Sequence, residues 1–144
     1  MASIGDVLLR TQGNADDIIG TSIWTYAVGV AIRDAVFVSA ADTVDQATAT
    51  GDSEKPSIGV VVSLDDPSPG QCIVRSQGFV TGFVGLTAGK TYILSRVAGE
   101  IIASDAGPGD PDYPQNPGEF KQSIGVARSA TVLMVLVDPT TFEI

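Results

Sequence analysis

Short stretches in which apolar and polar residues alternate recur along most of this chain, separated by clusters of Gly, Pro, Asp and Ser. A period of two sends successive side chains to opposite faces of a strand, so each stretch predicts a β-strand. The predicted strands cover residues 22–32, 35–39, 57–64, 71–77, 79–84, 91–95, 100–103, 122–128 and 131–137. The separators carry turn chemistry. Asp65-Asp66-Pro67-Ser68-Pro69-Gly70 combines residues that cap, fix φ and permit φ > 0. Val97-Ala98-Gly99 and Arg128-Ser129-Ala130 are short hairpin connections. Residues 41–56 have room for a helical turn, but their polarity marks them as a surface loop.

Two segments lack the alternation. Residues 1–20 hold the polar patch Thr11-Gln12-Gly13-Asn14-Ala15-Asp16-Asp17 and are expected to form an extended N-terminal arm or edge strand. Residues 104–119 contain four prolines and three glycines. Proline has no N–H for a ladder, so a long irregular loop is expected within a single all-β domain covering residues 21–144. A short echo, Ser57-Ile58-Gly59-Val60 and Ser123-Ile124-Gly125-Val126, follows a polar loop each time and marks two related strand starts.

Composition sharpens this picture. The chain has 144 residues, 17 of them valine and only 7 leucine. Branching at Cβ restricts χ1 and suits a pleated sheet, which argues for an all-β protein, a small β-barrel or β-sandwich. Eight basic against seventeen acidic residues give a net charge of −9. Such a surface repels phosphate, so neither nucleic acid nor an anionic membrane is an expected partner. Cys72 is the only cysteine, so no disulfide framework is expected. The uncharged run 18–32 is shorter than the roughly 20 apolar residues of a membrane span. Asp6 interrupts the first residues, which do not read as a signal peptide, and the chain reads as a protein made in a reducing cytoplasm.

Catalytic motifs find little support. Gly89-Lys90-Thr91 resembles the tail of a phosphate-binding loop, but the required earlier glycine would fall at Val84. Strand formers follow it, so no helix N-terminus is expected there to hold a phosphate. The segment reads instead as a chain reversal, with Gly85 and Gly89 giving the backbone freedom and Leu86 and Tyr92 packing across it. The chain has no histidine, which removes Ser-His-Asp and Cys-His catalysis and the usual zinc sites. Cys72 in an apolar strand reads as a small buried hydrophobe. The aspartates fall mostly in turns, where capping explains them, although paired aspartates remain the basis of a hydrolase reading. Asp105, Asp110 and Asp112 offer oxygens, but their spacing matches no calcium-binding pattern. No catalytic residue, cofactor or metal is expected.

Among the aromatics, Trp24 and Tyr26 share one face of a strand and read as a core or interface anchor rather than a sugar-stacking platform. Tyr113, in the proline loop, and Phe142, near the C-terminus, are expected to be exposed. With Trp24 they are candidate partner anchors.

Residues 78–138 carry a more specific pattern. It runs through "GFVTGFVGLTAGKTYILS", "GEIIAS", a Pro/Gly loop and "PGEFKQSIGVARSATVLMVLVD". This succession resembles a module of tailed-bacteriophage virion proteins, and the chain's size is most similar to the head decoration, or cementing, proteins. The resemblance implies a homotrimer on the outer surface of the phage head, bound to the major capsid protein, with terminal arms engaging the shell. On that basis Ile4, Val7, Leu8 and Leu9 are the expected arm contacts, able to add a strand to a neighbour's edge. The same pattern occurs in tail and fibre proteins, so a tail, fibre or carbohydrate-binding module is the alternative. Leu86-x-x-Gly89-x-x-Tyr92 also resembles the tyrosine corner of fibronectin-like sandwiches, where the hydroxyl bonds back to the preceding turn.

Overall fold

A computed structural model of the protein describes residues 20–50 and 56–144, and among these all regular structure is β. The first strands are β1 (Thr21–Tyr26), β2 (Ala35–Ala40), β3 (Thr43–Gln46), β4 (Gly59–Leu64) and β5 (Gln71–Arg75). They form a closed barrel in the order β1-β3-β2-β4-β5, sealed by a β1–β5 ladder running from Thr21↔Arg75 to Thr25↔Gln71. The chain continues through β6 (Gln77–Thr81), β7 (Thr91–Leu94), β8 (Ile101–Ala103), β9 (Phe120–Lys121), β10 (Ser123–Ala127), β11 (Val132–Leu136) and β12 (Phe142–Glu143). Five of these form an antiparallel sheet in the order β6-β11-β10-β7-β8, and β9 pairs with β12. The expected all-β domain built on a small barrel is therefore what the chain forms.

Alternation explains how two sheets share their burial. On β2, Ala35 faces a core common to the barrel and the five-stranded sheet, while Val36 fills the barrel interior. Val60 and Val61 on β4 split in the same way, and all four are fully buried. Strands buried on both faces read as continuous apolar runs, as the valines of β4 do. The shared core gathers Val80, Tyr92, Leu94, Phe120, Ile124, Leu133 and Val135 from the second sheet and its neighbours. The barrel interior holds Val30, Val44, Cys72 and Val74 as well.

One buried amide ties the halves together. Gln122 is 1% exposed; its Oε1 accepts from Ser57 N at 2.7 Å, and its Nε2 donates to Ser57 O at 2.8 Å and Asp138 O at 2.9 Å. The echoed segments thus meet at Gln122, which sits beside the second and bonds the first residue of the other. Their glycines also share a function. A Cβ on Gly59 would press on Arg75 O and Val74, and one on Gly125 on Met134 O, so glycine permits the neighbouring backbone to come close in both.

Several expectations need correction. Residues 41–56 are not simply a polar loop: they contain β3, and Val44, Ala47 and Ala49 are fully buried. Ala47 N and Ala49 N donate to Ala35 O and Ser95 O, pairings that local polarity does not reveal. The strand expected over 22–32 stops at Tyr26, and the chain then turns through Gly29 to Arg33. Gly85 and Gly89 do adopt positive φ, but the reversal they serve is a crossover: β6 and β7 are separated in the sheet by β11 and β10. Tyr92 Oη accepts from Thr87 N at 2.9 Å, the back-bond of a tyrosine corner. Strand β7 follows Lys90 directly, so the geometry of a phosphate loop is not formed.

The proline-rich loop is irregular yet firmly held. Glu119, 4% exposed, accepts from Gln115 N at 2.8 Å, Asn116 N at 2.7 Å and Arg96 Nε at 2.7 Å. Burial raises the pKa of its carboxyl, but the Asn116 and Gln115 N–H groups and the Arg96 guanidinium outweigh it and hold the pKa below the ordinary value. Tyr113, expected to be exposed, is 6% exposed: its hydroxyl donates to Ser104 O at 3.1 Å and Lys121 Nζ lies 5.1 Å from its ring centre. Ring burial outweighs the local polarity of its neighbours.

Candidate functional site

The outward face of the five-stranded sheet gathers exposed apolar groups. Register places Thr91, Val126, Met134 and Phe79 in one row across β7, β10, β11 and β6, with Leu136 beside Gln77. Phe79, Met134 and Leu136 are 46%, 43% and 60% exposed. Alternation sends their neighbours Val80, Leu133 and Val135 into the core, so β11 is apolar on both faces while only one is covered. The Arg128 guanidinium lies 4.8 Å from the centre of the Phe79 ring.

This face continues to an open strand edge. Among the described residues β6 pairs only with β11. On its other side Arg75 Nη1 donates to Phe79 O at 2.7 Å, capping one edge carbonyl with a charge. Gly20, the first described residue, lies on the same side. Gly20 O accepts from Ser76 N at 2.7 Å, and a Cβ on Gly20 would press on Gln77 O. The arm candidates Ile4, Val7, Leu8 and Leu9 lie outside the described residues.

The three aromatic candidates are not brought together. Trp24 is half-buried against the barrel interior, and its Nε1 donates to Ser22 Oγ at 2.6 Å. Tyr113 is turned inward within the proline loop, between Ser104 and Lys121, and Phe142 projects from β12 with 68% exposure. Phe79, Met134 and Leu136 were not singled out in the sequence. Their signal was the unbroken run Val132-Leu133-Met134-Val135-Leu136, in a strand whose alternate positions would be polar if water covered one face.

The remaining reactive groups are occupied by structure. The Cys72 thiol is fully buried, and burial pushes its pKa up to about 11. Asp65, at positive φ in the β4–β5 hairpin, accepts from Gly70 N at 2.9 Å and from the Tyr26 hydroxyl at 2.7 Å. These bonds lower the Asp65 pKa, and the bond to Asp65 raises that of Tyr26. Asp110 caps Asp112 N at 2.9 Å, and Asp105 meets Lys90 Nζ at 3.2 Å. No cluster of three potential metal ligands occurs among the described residues. No described helix is long and apolar enough to cross a membrane.

Comparison with protein-family models, curated proteins and solved structures returns no match to this chain.

Proposed function

We propose that this protein is a capsid decoration protein, bound as a homotrimer to the outer surface of a tailed-phage head through the major capsid protein. The observation that carries the reading is the exposed Phe79–Met134–Leu136 face, which lies close to Gly20 at the open side of β6. An apolar face next to an open strand edge favours burial against another protein surface. The phage-like pattern of residues 78–138 supplies the choice of partner. No catalytic step is assigned. Stabilisation of the shell is mass action: a ligand that binds only the assembled shell shifts the equilibrium away from disassembly. In this reading Ile4, Val7, Leu8 and Leu9 are the contacts to the shell or to a neighbouring copy, and Phe142 is a second exposed contact.

A glycan-binding tail or fibre module is the second reading, favoured by Trp24 and Tyr26 on one strand with Asp65 bonded to Tyr26. Mixing the purified protein with expanded capsids and counting bound copies separates the two. Saturable occupancy of lattice three-fold positions is expected for decoration. Glycan binding without capsid binding would replace it with the second reading. Deleting residues 1–19 is expected to abolish capsid binding while leaving the unfolding transition of the body in place. Unchanged affinity would remove the arm from the mechanism.

A further inference from the structure

Between the barrel and the five-stranded sheet lies an open cleft of about 540 Å³. The β1–β2 loop contributes Arg33, the crossover contributes Phe83, Leu86 and Lys90, and β8 contributes Ile101 and Ile102. Arg33 is unusual within it. Its backbone adopts φ 77°, a left-handed conformation that costs a non-glycine residue about 1 kcal/mol or more. Its guanidinium lies against Gly82, where a side chain would overlap Nη2, Cζ and Nε. Arg33 Nε is shut off from solvent with no hydrogen-bond partner. No carboxylate among the described residues forms an ion pair with it. A half-buried arginine without a carboxylate is costly, and this chain has seventeen acidic residues from which to supply one.

Two of the three cleft carboxylates are engaged elsewhere, and the third, Glu100, forms no ion pair with Arg33. Asp34 accepts from Ala31 N at 2.8 Å and Gln46 Nε2 at 2.9 Å, and Asp110 caps Asp112 N. Lys90 is neutralised by Asp105. Among the described residues Arg33 is therefore the one cleft cation with neither an ion pair nor a side-chain hydrogen bond, and Asp34, Glu100 and Asp110 keep the surrounding wall acidic. That balance disfavours a dianion such as phosphate and tolerates a single negative charge. A guanidinium presents its donors as a planar fork matched to a carboxylate, and Phe83, Leu86, Ile101 and Ile102 add an apolar patch to the otherwise acidic wall.

We propose that this cleft binds a monocarboxylate with a short apolar body, its carboxylate on Arg33 and its apolar part against Phe83, Leu86, Ile101 and Ile102. A small organic acid and the C-terminal residue of an apolar peptide present the same chemistry. The site does not depend on the decoration reading, and its ligand need not come from a capsid.

The test is an NMR titration of isotope-labelled protein with sodium 4-methylvalerate at low salt, read on the arginine Nε–Hε signals. The Arg33 signal is expected to shift saturably. The isosteric neutral amide, 4-methylvaleramide, and inorganic phosphate are expected to leave it in place. Arg33→Gln is expected to weaken 4-methylvalerate binding at least tenfold, and Arg33→Lys, which keeps the charge and loses the fork, to weaken it less. An acetylated tetrapeptide ending in leucine, with a free or an amidated terminus, separates the sources. Tighter binding of the free peptide than of 4-methylvalerate assigns the site to a chain terminus, and the reverse assigns it to a small acid. The proposal is overturned by absence of saturation, by equal response to the amide or to phosphate, or by unchanged affinity in a folded Arg33→Gln protein. Where that variant does not fold, the acid–amide comparison on the unsubstituted protein decides.

Discussion

In the barrel, the β1–β5 ladder closes the last edge, and Val36, Val44, Val61, Cys72 and Val74 turn their side chains into a sealed interior. In the five-stranded sheet, the same Val-rich chemistry leaves β6 open along one side among the described residues. It also turns Phe79, Met134 and Leu136 outward. Closure removes unpaired N–H and C=O groups altogether, whereas an open edge needs a guard or a partner. Arg75 guards one carbonyl of β6 and leaves the apolar face beside it uncovered. Among the described residues the barrel thus closes its edges, while the sheet leaves one edge and an apolar face exposed.

Adjacent residues of β11 test that division most directly. Leu133→Ala, on the covered face, is expected to cost about 2–5 kcal/mol in chemical denaturation, through lost burial and a cavity. Met134→Ser, one position on, is expected to stay within about 0.5 kcal/mol, since its side chain already meets water. Equal costs at the two positions would show that the outward face is covered in the free protein. In the capsid-binding assay the ranking reverses: Met134→Asp is expected to abolish binding that a mild core variant such as Val74→Ala retains.

Glu119 gives the next largest effect. Glu119→Ala strips Arg96 of its carboxylate, leaving only the bond to Pro111 O, and leaves the Gln115 and Asn116 N–H groups unpaired, at a cost of about 3 kcal/mol or more. Its carboxyl is held below its ordinary value of 4.5 in the folded chain. The folded state therefore binds this proton less readily than the unfolded state does. Stability from this group is complete above that ordinary value and is lost as pH falls through the lower folded pKa. Thermal unfolding followed from pH 7 downward is expected to show a steep acid limb, and Glu119→Gln is expected to flatten it. An acid limb identical in the variant would assign it to other carboxylates.

The smallest expected change is at the crossover. Tyr92→Phe removes the acceptor for Thr87 N and is expected to cost about 1 kcal/mol, with the strand order kept. A larger loss would mean that the corner sets the β6–β7 crossover instead of fastening it.

Much of the β architecture was legible locally. Alternation and turn residues located β2, β4, β5, β7, β8, β10 and β11 to within a few residues, because strand faces and turn dihedrals are properties of neighbouring residues. The short strands β3, β9 and β12 were missed. Each offers too little alternation to stand out: β3 is a four-residue hairpin partner of β2 in a polar stretch, and β9 and β12 are two-residue strands that pair with each other. The tyrosine corner was readable because Leu86, Gly89 and Tyr92 lie within one turn of chain.

The candidate sites followed the opposite pattern. Tyr113 is hidden because Ser104 and Lys121 come to it, and nothing in its polar neighbourhood announces that burial. Phe79, Met134 and Leu136 form one surface only because β6 and β11, some fifty positions apart, pair side by side. Arg33 has no ion pair among the described residues: folding engages Asp34 with Ala31 N and Gln46 Nε2, engages Asp110 with Asp112 N, and lays Gly82 against the guanidinium. By itself the sequence determined the strand faces, the turns, the acidic charge and the absence of histidine chemistry, all set within a few residues or by composition. Tertiary structure alone decided which apolar faces stay open and which charge goes unpaired, because exposure depends on what the rest of the chain brings alongside.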